Sequence, residues 1–177
     1  MKKLRFGIVG TGNIAHRFAE AIKNVEEAEL SAVASRNIST ADKFGDEFSI
    51  PLRFGSYEEM AKSDKIDCAY IATPHSLHKD CTILMLKEKK HVICEKPITV
   101  EPEELEELQA LADKKGLIYV EAIMYMFNPA RDLLKDALGK IGKITSAHFD
   151  FSQLSSKYPA YQRGELPNIF NPALATG

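Results

Sequence analysis

Three short stretches of this chain carry residues whose types and spacing could bind and transform a small molecule. Gly10-Thr11-Gly12-Asn13-Ile14-Ala15 has the G-x-G-x-x-G/A spacing. Glycine at the first position permits a tight turn, and glycine at the third lets the backbone approach a pyrophosphate. Alanine at the last lets a helix sit close to the preceding strand. The anion would rest on the free N–H groups of Thr11 to Ile14, at the positive end of that helix. The same spacing occurs in ordinary turns and in S-adenosylmethionine enzymes, so its meaning depends on the elements around it.

The second stretch is Ala34-Ser35-Arg36. A carboxylate at the end of a second strand would bind the ribose hydroxyls of NAD. Here a 2′-phosphate would meet the Ser35 hydroxyl and the planar guanidinium of Arg36, which favours NADP. The other reading has Arg36 stacked on adenine, with both nucleotides accepted. The third stretch is Cys94-Glu95-Lys96-Pro97. A lysine at the C-terminal end of a parallel strand could exchange a proton with a carbonyl or hydroxyl oxygen, and partial burial would lower its pKa. Proline after it restrains the backbone, with a cis bond as one way. Taken alone, Glu-Lys-Pro reads as a surface turn.

These stretches need strands that end beside one another. Apolar runs at residues 4–9, 29–34, 67–72, 91–94 and 117–122 read as strands. Helices are expected at residues 14–24, 40–48 (capped by Ser39 or Thr40), 57–62 (capped by Ser56), 76–89, 101–115 and 129–138. Gly116 should cap the fifth of these, and Gly139 should end the sixth. Strands without clean alternation, separated by helices, form a parallel sheet covered on both faces. The expected fold is a doubly wound α/β Rossmann domain over residues 1–140. Residues 143–152 alternate as a strand with one buried face. Residues 155–177 hold no periodic run. Residues 141–177 therefore read as the start of an incomplete α+β domain whose partner strands lie later or on another chain. The alternative is a tail that packs on the first domain or is disordered.

Net charge is -2 at pH 7, with neither a basic field nor a long acidic run, so nucleic acid is not an expected partner. No apolar run suits a signal peptide or a membrane span, and a cytoplasmic location is the default. Cys68, Cys81 and Cys94 read as reduced, mostly buried thiols. His75, His78 and Cys81 would drift around a helix and lack a fourth ligand, so no metal is expected.

Five segments in order carry a family resemblance: Gly10 to Ala15; Val33 to Arg36; Ala72-Thr73-Pro74-His75-Ser76-Leu77-His78; Glu95-Lys96-Pro97; and Glu121-Ala122-Ile123-Met124-Tyr125. The chain resembles the N-terminal half of the glucose–fructose oxidoreductase, inositol dehydrogenase and rhizopine-catabolism family. The run to Pro129 resembles its dihydrodiol dehydrogenase branch. The resemblance implies NAD(P)-dependent oxidation of a hydroxyl, or its reverse, on a sugar, cyclitol or dihydrodiol. It places Glu95 near the nicotinamide ribose and Lys96 at the reacting oxygen, with Thr73, Pro74 and His75 along the nicotinamide side and His78 in the same cofactor segment. It also implies a homo-oligomer in the full-length protein.

Departures from the family pattern are His75 where Asn is frequent, and Met126 and Asn128 where Arg and His are frequent. The family's later Asp and His have no counterpart; residues 173–177 look like the approach to the turn before them. His148 reads as a sheet-face residue rather than a substitute. The expectation is a chain that binds cofactor with little turnover. A non-catalytic dinucleotide sensor of the same fold is the competing class, and Lys96 argues against it.

Overall fold

The computed structural model describes residues 2–175. Six strands form one parallel sheet in the order β3-β2-β1-β4-β5-β6. They are β1 (Leu4–Val9), β2 (Ala28–Ala34), β3 (Leu52–Phe54), β4 (Cys68–Ile71), β5 (His91–Cys94) and β6 (Tyr119–Glu121). The order reverses between β1 and β4, and at such a switch point the carboxyl ends of the strands open a crevice.

Between the strands run α1 (Asn13–Ile22), α2 (Ile38–Phe48), α3 (Tyr57–Lys62), α4 (His78–Lys87) and α5 (Pro102–Lys115); α6 (Ala130–Lys140) and α7 (Tyr158–Gln162) follow β6. Alternate strand residues face opposite layers. Ile8, Val33 and Tyr70 pack with Ala15, Ala19, Ala41 and Phe44 of α1 and α2. Val9, Ala34 and Ile71 pack with Met60, Met85, Leu86 and Leu108 of α3 to α5. Both faces are thus apolar, which is why these strands read as continuous hydrophobic runs. The sheet is the doubly wound Rossmann arrangement expected from the alternating elements.

Local chemistry sets several boundaries. The Ser56 side chain accepts the Glu59 N–H at 3.1 Å and starts α3. Glu101 and Glu104 form a capping box at α5, and Gly116 ends that helix at φ 66°. Other expectations are corrected. α2 is capped by Asn37, not Ser39 or Thr40, two or three residues earlier: its side chain accepts the Ser39 N–H at 2.9 Å. The expected single helix over residues 76–89 begins as a tight 3-10 turn, His75–Leu77, and becomes α-helical at His78. α6 runs through Gly139, because a glycine ends a helix by adopting left-handed geometry, which Gly142 (φ 75°) does instead. β3 was not expected. Residues 143–152 form no strand, and Phe149 and Phe151 are exposed. No neighbouring strand among the described residues offers them a ladder, and an unpaired strand is not stable alone.

The amino end of the sheet is fastened by polar contacts. Lys90, largely buried, donates to the carbonyls of Ser63 (2.6 Å) and Ile66 (3.0 Å). Arg5 forks onto Asp67. The carboxyl end is left for a ligand.

Candidate functional site

Gly10 leaves β1 at φ 101°, and its N–H donates to the Ala34 carbonyl at 2.9 Å. A Cβ there would meet the Ala72 carbonyl oxygen at 2.8 Å. The turn is therefore wedged between the ends of β2 and β4, and only glycine satisfies both the angle and the space. Gly12 caps α1 without a side-chain hydrogen bond, and the first turn of α1 holds no acidic residue. A Cβ on Gly12 would have no neighbour within 4 Å. Nothing in the protein interior requires glycine at that position; what it keeps clear is the approach to the helix end. A pyrophosphate fits this cradle of open N–H groups. Ala15 is fully buried, as close helix–strand packing needs.

The turn borders a cleft of about 850 Å³. Gly10, Thr11, Gly12, Asn13 and Ile14 line its floor, Ser35 and Arg36 one end, and Thr73, Pro74 and His75 the other. The structure thus brings ten of the expected cofactor residues to one cavity. Arg36 is exposed, and the half-buried Tyr57 lines the cleft beside it. Burial pushes the Tyr57 phenol up, while the nearby Arg36 guanidinium pulls the other way. Burial also pushes the His75 imidazole down, with His78 and Lys96 adding to the effect and Glu95 opposing it. The Thr73 hydroxyl is buried without a hydrogen-bond partner among the described residues.

Glu95 and Lys96 follow β5 next to His75 and do not line the cleft itself. The Glu95 N–H donates to Ile71 O at 3.0 Å, which anchors the segment to β4. The Tyr70 hydroxyl donates to Glu95 Oε1, and Glu95 Oε2 accepts the Lys96 N–H at 3.3 Å. Lys96 is exposed, and the Lys96–Pro97 peptide is cis. His78, expected beside the cofactor, is fully buried, and both its ring nitrogens lie against backbone carbonyls.

Of the departing positions, Met126 is exposed and Asn128 Oδ1 accepts the Ala130 N–H at 2.9 Å, in the turn just before α6. His148, expected on a sheet face, is exposed and belongs to no strand. Leu174 and Ala175 line the cleft wall, whereas Thr176 and Gly177 of that expected turn approach lie outside the described residues. Sequence reasoning missed Tyr57 and the opposite wall, where Lys157, Glu165 and Asn168 face the glycine turn. Those residues lie far along the chain from the glycine turn and have no local signature. Among the described residues, no three His, Cys, Asp or Glu side chains group as metal ligands, and no helix is long and apolar enough to cross a membrane.

Comparison with known proteins agrees with this fold. The family model of the Gfo/Idh/MocA group, an oxidoreductase family with an NAD-binding Rossmann fold, matches residues 4–123. The scyllo-inositol 2-dehydrogenase (NADP(+)) IolU of Bacillus subtilis is 37% identical over 174 residues, covering 98% of this chain and 53% of the relative. Trans-1,2-dihydrobenzene-1,2-diol dehydrogenase of Mus musculus is 40% identical over 152 residues, covering 84% of this chain and 46% of the relative. Among solved structures, KijD10, a 3-ketoreductase from Actinomadura kijaniata in complex with NADP, superposes with a TM-score of 0.75 at 29% identity. That match covers 78% of this chain and 44% of KijD10. The chain spans about half the length of the curated relatives it matches.

Proposed function

The chain belongs to the glucose–fructose oxidoreductase, inositol dehydrogenase and rhizopine-catabolism family, and we propose that it forms the NADP-preferring cofactor domain of an enzyme oxidising a hydroxyl, or reducing the corresponding carbonyl, on a sugar, cyclitol or dihydrodiol. The observation that carries this reading is the single cleft joining the glycine turn, Ser35-Arg36 and Thr73-Pro74-His75. The N–H groups of α1 hold the pyrophosphate. Ser35 donates its hydroxyl to a 2′-phosphate, and the guanidinium of Arg36 pairs with it. Thr73, Pro74 and His75 bound the nicotinamide end, with Glu95 accepting ribose hydroxyls nearby. Bound nicotinamide supplies or takes up the hydride. Lys96 exchanges the proton at the substrate oxygen: its ammonium donates when a carbonyl is reduced, and its amine accepts when a hydroxyl is oxidised. Both curated relatives described above are dehydrogenases of such substrates by name, which supports the substrate class.

The cleft, with Glu95 and Lys96 beside it, would hold the dinucleotide, whereas the relatives carry about as many residues again as this chain. We infer that the 177 residues bind cofactor and that rapid turnover needs the additional length. The first experiment is a fluorescence titration with NADPH and, separately, NADH. Tighter NADPH binding that Arg36→Ala erases is the expected result. Equal binding of both nucleotides, unchanged in Arg36→Ala, would remove the NADP reading, and binding of neither would remove the cofactor reading.

A further inference from the structure

The Tyr70 ring is buried, with 4% of its surface exposed, on the α1 side of β4. It stacks on Phe18 of α1, with ring centroids 3.8 Å apart and planes inclined by 7°. Phe18 in turn leans on Phe6 of β1 at 5.7 Å. A ring so packed cannot swing, and a phenol O–H extends along the ring axis. Its direction is therefore set by the core, and it ends on Glu95 Oε1. Burial and the Glu95 carboxylate both push the phenol far above its ordinary range, so the hydroxyl keeps its proton and donates.

Glu95 is otherwise a side chain with three rotatable bonds at a half-open edge. Tyr70 and the Lys96 N–H take one acceptor site on each carboxylate oxygen. A carboxylate has about four such sites, so roughly two remain for incoming donors. A ribose presents a vicinal pair of hydroxyls, which suits a carboxylate fixed in one orientation better than one that must be immobilised on binding.

We propose that Tyr70 is a positioning residue for the nicotinamide end of the site: its hydroxyl aims the Glu95 carboxylate, and its ring ties that carboxylate to α1, the helix that opens at the glycine turn. The two ends of the dinucleotide site are then linked through one stacked pair and one hydrogen bond in the sheet's interior. This rests on the cofactor reading above and adds to it a residue that touches no ligand.

The test is Tyr70→Phe, which keeps the stacked ring and deletes only the O–H. NADPH and 2′,5′-ADP, which has the adenosine end but no nicotinamide riboside, are titrated into each variant. NADPH binding is expected to weaken about tenfold, the scale of losing a hydrogen bond to a charged group. Binding of 2′,5′-ADP should stay within about twofold of the parent. In a Glu95→Ala background, Tyr70→Phe should add nothing further. Unchanged NADPH binding, an equal loss for both ligands, or additive losses in the double variant would overturn the proposal. Should the variant fold poorly, carbon-13 at Tyr70 Cζ in the unsubstituted chain gives the same answer. Its resonance should move on NADPH and stay still on 2′,5′-ADP, and a resonance indifferent to NADPH would overturn the proposal. Failure of the cofactor reading looks different: the unsubstituted chain then binds neither NADPH nor NADH.

Discussion

His78 reaches the Pro97 carbonyl: its Nδ1 lies 2.8 Å from that oxygen, while Nε2 lies 3.0 Å from the carbonyl of Thr73. One buried ring thus spans the loop after β4 and the loop that carries Lys96. His78→Ala would leave the Thr73 and Pro97 carbonyls facing a cavity. We expect a loss of about 2–4 kcal/mol in urea unfolding, from the void and the lost ring N–H donor together. His78→Asn, which keeps a donor, should recover part of that. A cost under about 0.5 kcal/mol for the alanine variant would mean that the loops hold their places without the ring.

The two glycines of the turn should separate folding from binding. Gly10→Ala puts a methyl 2.8 Å from the Ala72 carbonyl oxygen at a φ of 101°. A lowered melting temperature is expected, with a cost of about 1–3 kcal/mol from strain alone. Gly12→Ala meets no atom within 4 Å, and its φ of -79° suits alanine. Its melting temperature should match the parent while NADPH affinity falls sharply, because the methyl occupies the approach of the pyrophosphate. Undiminished NADPH binding in Gly12→Ala would show that the phosphates sit elsewhere.

Much of this site was legible because its signals are local. The β1–turn–α1 unit, the cap at Ser56 and the cap at Gly116 each follow from a few adjacent residues. β3 escaped because Leu52-Arg53-Phe54 is too short to show a period; Pro51 and Gly55 on either side were the available hint. Asn37 escaped because Ser39 and Thr40 compete for the same role. The alternation over residues 143–152 is present in the sequence, yet a strand is a relation between segments, and the described residues supply no partner. Tyr70 read as one apolar residue among others, since its bond to Glu95 spans 25 residues and no pattern encodes it. His78 was expected beside the cofactor; its ring faces inward, and no local pattern encodes that.

The thiols offer a check on the core. Cys68, Cys81 and Cys94 are all buried and free. Burial pushes the Cys68 and Cys81 thiols up to about 12, and Cys94 higher still. The thiolate is the reactive form, so native protein near neutral pH should resist iodoacetamide at all three positions. Labelling should appear in urea, along the unfolding transition. Rapid native labelling at Cys81 or Cys94 would show that α4 or β5 opens locally well below the global transition.

The amino end of the sheet predicts the acid limb of stability. Arg5 Nη2 and Nε donate to Asp67 at 2.6 and 2.9 Å, and the Arg5 N–H adds a third bond at 3.1 Å. The Arg5 hydrogen bonds hold the Asp67 carboxyl down to about 2, against a partial opposing effect of burial. A carboxylate depressed in the folded state contributes stability above its unfolded pKa, here about 3.8, and loses it as pH falls through the folded value. The contribution should therefore be complete near neutral pH and fade between about pH 4 and pH 2. Asp67→Asn should lower the urea midpoint near neutrality, by a modest amount because solvent screens a partly exposed pair. The gap between variant and parent should then close as the acid limb is descended. Added salt should narrow it at neutral pH as well. A gap of constant size down to about pH 2 would assign the loss to the fork's hydrogen-bond geometry rather than to the carboxylate's charge.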